Sequence, residues 1–485
     1  MGERARHGSV WMVAATGAAK ALGLGTQLVL AGLMPRGEFG IYAIAISLSV
    51  LLSVMRDGGL PAVLVQKGRR FDLYAGSVFW LMLVINTATG VVLAAAARPA
   101  ASFYHQPELA AVIDLFALSL PLGVPASLLT LRLSSAMRFT EVSLVQVVSA
   151  VVRNVLLLVF AWHGWGARSF VLPVLITNLS DALLLWCLTR YSPWSRPPRP
   201  HRWGKLLRSG RWVLLGTFAF ALGNNGAYFI LAKILPNEVL AGYFFAFQLV
   251  MLLGVLVVSN SYQVLFAAFS RISGEPPRLR VAVFNALGAV ALVGSVASMA
   301  LAAVFQPFEQ LVWHGKWSTA GSAIMVLAVV WPTTTVVSVM HAVQAAAGRF
   351  RLWGCMAFLT AVLSIVGSVL GAWAGRSAFA AAIGYGVGTL LGMQVNASYS
   401  LPLVGLASRT AMLRAARPWS AALLAAAVSL GFARLAGDAR AGLLVAALSF
   451  ALLVYAALRL VARDSLELVV SSLRSTLVSA RLLPR

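Results

Sequence analysis

Three cations stand in runs of the chain that are otherwise apolar enough to cross a bilayer: Lys20, Arg56 and Arg153. A charge near the bilayer centre costs ~2.5–3.5 kcal/mol on insertion scales, so each calls for a counter-charge, water or an anionic ligand. Lys20 shares a stripe with Thr16, Gly23 and Gln27, and Arg153 continues one with Gln146 and Ser149. At these spacings the residues fall on one face of a helix, so both helices carry a wet side. Arg56 sits ~15 Å inside the expected end of its span at 1.5 Å per residue, deep for snorkelling towards the cytoplasm. Its neighbour Asp57 points about 100° away around the helix and makes a poor facing partner, although a local pair is the competing reading. Asp57 and Asp181 are the intramembrane acids fit for counter-charge or proton coupling, with Asp114 and Glu141 nearer span ends.

The second half of the chain has a different chemistry. Asn224 and Asn225, with Thr217 and Tyr228, form a neutral polar face, as do Gln248, Ser259 and Gln263. Thr334, Ser338, His341 and Gln344 are spread along one further segment. Each could simply bond a neighbouring helix, worth ~0.6–2 kcal/mol per contact, and for His341 that is the preferred role. Glu238, Glu275 and Glu309 are expected in loops, which leaves no carboxylate in the spans of this half. A cavity with cations and few acids attracts an anion. Phosphate or pyrophosphate on a lipid carrier is the natural choice, and Gln and Asn faces suit sugar hydroxyls. No catalytic constellation, metal site or cofactor motif is present. Cys187 and Cys355 lie in different spans without CxxC or metal spacing, and read as packing residues.

The elements that must position these groups are long helices. Of 485 residues, 60% are hydrophobic and 11% charged, against roughly 25% charged in a soluble domain. Apolar runs of about 20 residues, the length that spans a ~30 Å core, alternate with Arg-rich loops. We expect fourteen spans near 9–34, 39–66, 73–97, 108–131, 140–162, 168–189, 212–234, 239–269, 281–305, 319–346, 352–374, 378–401, 415–434 and 441–460. With the N terminus in the cytoplasm, 27 of the 38 Lys and Arg fall in cytoplasmic segments and 8 on the opposite side. The positive-inside rule then puts both termini in the cytoplasm. It also accounts for the +24 net charge without nucleic acid as a partner. The basic start MGERARHGSVW leads into an apolar run too long for a signal peptide, so the first span is read as uncleaved.

Sliding the chain on itself by 201 residues places Trp11, Pro35 and Tyr42 on Trp212, Pro236 and Tyr243. Spans 1–2 then correspond to spans 7–8 in parallel orientation, and parallel repeats place a site between two halves near the midplane. The expected architecture is an all-α polytopic membrane protein with two six-helix lobes around a central cavity and two C-terminal helices. Its divisions are an N-terminal lobe 1–190, a basic linker 191–211, a C-terminal lobe 212–402, spans 13–14 within 403–462 and a tail 463–485. In that tail Leu466, Val469, Val470, Leu473 and Leu477 recur at helical spacing, the pattern of an amphipathic helix on the cytoplasmic leaflet.

Four segments carry a likeness. MPRGEFGIYA (34–43), RDGGLPAVLVQK (56–67), DLYAGSVFW (72–80) and YHQPELAAVIDLFALSLPL (104–122) resemble Wzx-type polysaccharide flippases, above all the colanic-acid exporter branch, of the multidrug/oligosaccharidyl-lipid/polysaccharide exporter superfamily. The likeness is clearest over the first ~200 residues. It implies alternating access in the bacterial inner membrane and transport of an undecaprenyl-pyrophosphate-linked oligosaccharide for exopolysaccharide, capsule or O-antigen assembly. It also implies that first-lobe cations, here Lys20, Arg56 and Arg153, engage the anionic carrier. Membrane lipids, a polysaccharide polymerase and other assembly proteins are the implied partners. Related peptidoglycan-precursor flippases include members with an acidic sodium site in the second lobe, which the expected distribution of acids here does not supply.

Two rivals compete with this reading. A membrane glycosyltransferase or polymerase of the same pathway needs acidic or His groups, usually on a sizeable external loop, and the external loops near 98–108 and 306–318 are short. A drug-cation exporter of the same superfamily would want carboxylates facing its cavity.

Overall fold

The computed structural model describes residues 2–57, 60, 64, 71–136, 138–436 and 438–479, with the side chains of most of them. The described residues form helices α1 (Gly2–Leu33), α2 (Arg36–Asp57), α3 (Phe71–Tyr104), α4 (Glu108–Ser135), α5 (Phe139–Trp162), α6 (Leu172–Thr189), α7 (Trp203–Ile234) and α8 (Asn237–Arg271). They continue with α9 (Pro276–Trp313), α10 (Ser318–Val330), α11 (Pro332–Ala346), α12 (Phe350–Gly375), α13 (Ala378–Ser400), α14 (Ser408–Leu435), α15 (Ala439–Val461) and α16 (Arg463–Ser479). Helix satisfies every backbone group within the segment, as hydrocarbon demands. Among the described residues ten candidate spans are long and apolar enough to cross a membrane. Each overlaps one expected span, and α10 and α11 together make a single span interrupted at Trp331. The other four expected spans fall on α1, α2, α7 and α8, whose side chains are described in part.

The 201-residue offset recurs in the backbone. α1 begins at Gly2, ends at Leu33 and yields to α2 at Arg36; α7 begins at Trp203, ends at Ile234 and yields to α8 at Asn237. Pro35 and Pro236 stand at the two breaks, where the missing N–H and the ring favour a helix end, whereas Pro99, Pro121, Pro125, Pro307 and Pro418 are carried inside helices. Asn237 Nδ2 donates to the Gly37 carbonyl at 3.0 Å, tying one break to the other.

The chain divides into two compact units, Met1–Phe244 and Phe245–Arg485, with the boundary inside α8. In the first unit α3 packs on α4, α1 on α5, α4 on α6 and α2 on α7. The basic linker is fastened to α3. Trp80 Nε1 donates to the Arg196 carbonyl at 3.0 Å, Trp194 packs on Phe79, and Arg132 reaches Asp72 at 3.3 Å while lying over the Tyr191 ring. Burial pushes the Tyr191 hydroxyl up to about 12, with Asp72 adding to it.

In the second unit α12 and α13 approach backbone to backbone. Gly367 and Gly371 on α12 face Gly384 and Gly388 on α13, four residues apart on each helix. A Cβ on Gly384 would lie 2.6 Å from the Gly367 carbonyl carbon, and one on Gly388 2.5 Å from that of Leu363. Small residues at this spacing let transmembrane backbones close on each other. α9, α14 and α15 form a second core, built from Ala421, Ala422, Ala425 and Ala426 against Met299, Phe450 and Val454. Leu466 and Val469 of α16 pack against it, so the amphipathic tail is docked on protein on that face. Arg414, 7% exposed on α14, holds Asp464 of the tail at 2.9 Å and stacks over Phe284.

Two expectations change. Glu309 and Glu238 are not in loops: Glu238 stands in the first turn of α8, while α9 runs on to Trp313 and Glu309 is buried within it, accepting the Trp317 N–H at 2.7 Å. The helix is 38 residues long, well beyond a bilayer core, so its last turns carry residues that hydropathy assigns to a loop. Cys187 and Cys355 are exposed free thiols rather than packing residues. A thiol is apolar enough to sit on an outward helix face.

Candidate substrate site

The polar stripe of α5 meets its counterpart on α6. Ser149 Oγ donates to the Asp181 carboxylate, and Arg153, one turn further along α5, lies within electrostatic reach of both Asp181 and Tyr42. The structure thus brings together two residues assigned separate roles from sequence, the cation Arg153 and the acid Asp181. Asp181 is half-buried, while Arg153 is exposed. Among the described residues, the close ion pairs join Arg132 to Asp72, Arg138 to Glu141, Arg278 to Glu275, Arg414 to Asp464 and Arg463 to Glu467. Arg153 is in none of them, and a guanidinium is a planar fork of donors of the kind that matches a carboxylate or phosphate.

α6 is held in register by a second polar link: Asn178 Nδ2 donates to the Ser119 carbonyl of α4 at 3.0 Å. Close by, Tyr42 of α2 stacks on Phe170 at 4.0 Å and meets Phe244 edge-on. The half-buried Gln27 is on α1, which packs along α5. The side chains of Lys20, Arg56, Asp57 and Asn224 lie outside the described residues. Asn225, half-buried on α7, bonds back to its own helix at the Ala221 carbonyl, 3.3 Å away.

Sequence reasoning missed a cavity of about 780 Å3 in the same unit, within the ~300–1,000 Å3 range of ligand pockets. Glu38 from the start of α2, Glu108 and Asp114 from α4, and Trp165 and Arg168 from the α5–α6 connection line it. Glu38 accepts the Ala167 N–H at 2.6 Å. Burial raises its carboxyl above the ordinary range, and that N–H is the main opposing influence. Gly166, at φ +55°, sits against Glu38 where a side chain would collide with the carboxylate. The carboxylates can accept hydrogen bonds from hydroxyl groups, and the indole face can stack on a sugar ring. The available signal was that MPRGEFGIYA and YHQPELAAVIDLF both belong to the segments of resemblance and both supply acids here.

The second unit has its own polar cluster. Gln344 Nε2 on α11 donates to Asn396 Oδ1 at 2.9 Å and to Ser400 Oγ at 2.7 Å, both on α13. His341 Nε2 meets Asn396 Nδ2 at 3.3 Å, and the Trp353 ring stands edge-on to the imidazole. His341 therefore has the inter-helix bond expected of it, whereas Thr334 and Ser338 bond back to their own helix.

Comparison with known proteins gives these sites their context. The family model for polysaccharide biosynthesis proteins matches residues 29–322. The chain is 23% identical to the lipopolysaccharide biosynthesis protein WzxC of Escherichia coli K12 over 68% of its length and 67% of the relative's. It is 24% identical to the succinoglycan biosynthesis transport protein ExoT of Rhizobium meliloti, over 62% of this chain and 61% of that protein. With the teichuronic acid biosynthesis protein TuaB of Bacillus subtilis it shares 22% identity over 66% and 67% of the two chains. Among solved structures, the lipid II flippase MurJ in an inward closed conformation superposes with a TM-score of 0.73 at 11% identity, covering 93% of this chain and 99% of that one. An inward-facing multidrug resistance MATE family transporter of the MOP superfamily gives 0.53 at 16% identity, covering 83% and 95%. The fold is that of these transporters, and the chain belongs to the polysaccharide biosynthesis protein family, as a Wzx-type polysaccharide flippase by resemblance.

Proposed function

We propose that the protein is a flippase that carries an undecaprenyl-pyrophosphate-linked oligosaccharide across the bacterial inner membrane for surface polysaccharide assembly, without chemistry of its own. It works by alternating access, with fourteen spans in two parallel six-helix lobes plus two, and both termini in the cytoplasm. The observation that carries the reading is Arg153, a cation on a predicted span, exposed and beside an acid that a serine rather than the cation holds. Its fork of donors suits the pyrophosphate, which competes with Asp181 for the guanidinium. Lys20 and Arg56 supply further positive charge, and Gln27, Asn224 and Asn225 take sugar hydroxyls. Asp57 and Asp181 are the coupling candidates. A ligand shifts the two states only through different affinity for them, so the pyrophosphate drives the switch if Arg153 stands differently against Asp181 in each.

The test is complementation of a flippase-deficient strain with membrane protein level measured alongside. Arg153→Gln should weaken export at normal protein level, and Arg153→Glu should abolish it. Full export by Arg153→Glu would overturn the reading, and loss of protein instead of activity would assign Arg153 a structural role.

A further inference from the structure

A polar pocket of about 230 Å3 in the second unit lies where α14 ends and α15 begins. That is several times the ~30 Å3 share of one water, and just under the ~300 Å3 at which ligand pockets begin. Gln306 and Gln310 of α9, Arg434 in the last turn of α14 and Asp438 at the start of α15 line it, with Pro307 and Leu430 among its apolar walls. Asp438 occupies the N-cap position of α15 with the extended backbone that a capping residue adopts, yet its side chain makes no capping hydrogen bond. Aspartate is favoured at that position because its carboxylate accepts an orphan N–H of the first turn. Here the carboxylate is free for the pocket. Arg434 and Asp438 both line it, and they are not among the close ion pairs of the described residues.

Opposite charges that share a pocket without closing on each other select their ligand by charge pattern. A phosphate alone would be held by Arg434 and repelled by Asp438, and an ammonium alone the reverse. A neutral sugar would satisfy neither. A zwitterion with a phosphate and a primary ammonium satisfies both, while the two glutamine amides can donate to phosphate oxygens and accept from the ammonium. The surface beside the pocket decides the carrier of that headgroup. Phe432, Leu435 and Leu444 are exposed, Leu435 by 82%, an apolar flank fit for acyl chains and unfit for water. We propose that this pocket binds the headgroup of an aminophospholipid of the phosphatidylethanolamine class.

The purified, delipidated protein is offered equal amounts of phosphatidylethanolamine, phosphatidylcholine and phosphatidylglycerol, and retained lipid is counted by native mass spectrometry. The wild type should retain phosphatidylethanolamine over phosphatidylglycerol by about tenfold, the worth of one charge-assisted hydrogen bond. Asp438→Asn should bring that ratio close to one, and Arg434→Gln should lower retention of both lipids. Both side chains are exposed, so equal melting temperatures are expected, and the wild-type ratio is decisive by itself. Equal retention of the two lipids by the wild type, or the same lipid profile in all three proteins, would overturn the proposal. Complete displacement by water-soluble glycerophosphoethanolamine at equal concentration would also overturn it, because the ligand would then be a soluble zwitterion.

Discussion

The close approach of α12 and α13 makes a sign prediction about two glycines in neighbouring helices. A Cβ on Gly384 would lie 2.6 Å from the Gly367 carbonyl carbon, whereas one on Gly354 of α12 meets nothing within 4 Å. Carbon atoms rest about 3.5–4.0 Å apart, so Gly384→Ala must open the helix pair by about 1 Å, and at that gap a contact has lost up to half its attraction. The colliding atoms are backbone, which cannot rotate aside. Overpacking of this kind costs typically ~1–3 kcal/mol, and the collision at Gly384 lies at the upper end. Alanine returns ~1 kcal/mol of helix propensity at either site. Gly384→Ala should therefore lose about 2 kcal/mol net, and Gly354→Ala should gain about 1. Thermal unfolding of the two variants in the same detergent, read against wild type, checks the order. A melting temperature for Gly384→Ala at or above that of Gly354→Ala would refute the backbone interlock. Gly384→Leu should be worse than either, since its larger side chain meets the same wall.

Fusions of alkaline phosphatase after Arg98, Lys316 and Arg376 should be active and those after Arg202 and Arg463 inactive; activity at Arg202 would reverse the proposed orientation. Glu309→Ala removes the acceptor of the Trp317 N–H inside a buried turn, so a loss of ~1–3 kcal/mol in unfolding measurements is expected. The hydrogen bond from Arg414 holds the Asp464 carboxyl below the usual carboxylate range. A depressed folded value means that the clasp contributes fully above the ordinary ~3.9 and is lost as pH falls below it. Protease accessibility of α16 should accordingly stay flat from pH 8 to about 5 and rise only in stronger acid, whereas Asp464→Asn should raise it at every pH.

How much of this was legible in the sequence depends on the range of the interaction. Helix extent follows from local composition, and the ten candidate spans each overlap an expected one. The repeat was also legible, because Trp, Pro and Tyr recur at one offset in the sequence, and the breaks at Pro35 and Pro236 recur at the same offset. Residues across helices were harder. The stripe Gln146–Ser149–Arg153 was visible on α5, but its partner Asp181 depends on how α6 is turned, which Asn178 and the Ser119 carbonyl help to fix. Glu309 was misplaced because hydropathy ends a span where the bilayer would end, while hydrogen bonding carries α9 further. The glycines at 367 and 371 and at 384 and 388 were in plain view at i, i+4 spacing. Only the opposing helix reveals that they face each other.

On the proposed reading, the arrangement around Asp181 also bears on how tightly an anion can be held without being trapped. Had Arg153 closed on Asp181 as a tight ion pair, an incoming pyrophosphate would first have to break it, stranding a half-buried carboxylate away from water at considerable cost. Ser149 changes that balance by giving the carboxylate a hydroxyl donor that stays in place whatever Arg153 does. The carboxylate remains satisfied when the guanidinium turns to a ligand, and its charge is close enough to draw the guanidinium back when the ligand leaves. On the proposed reading the acid is therefore a return partner as much as a coupling group.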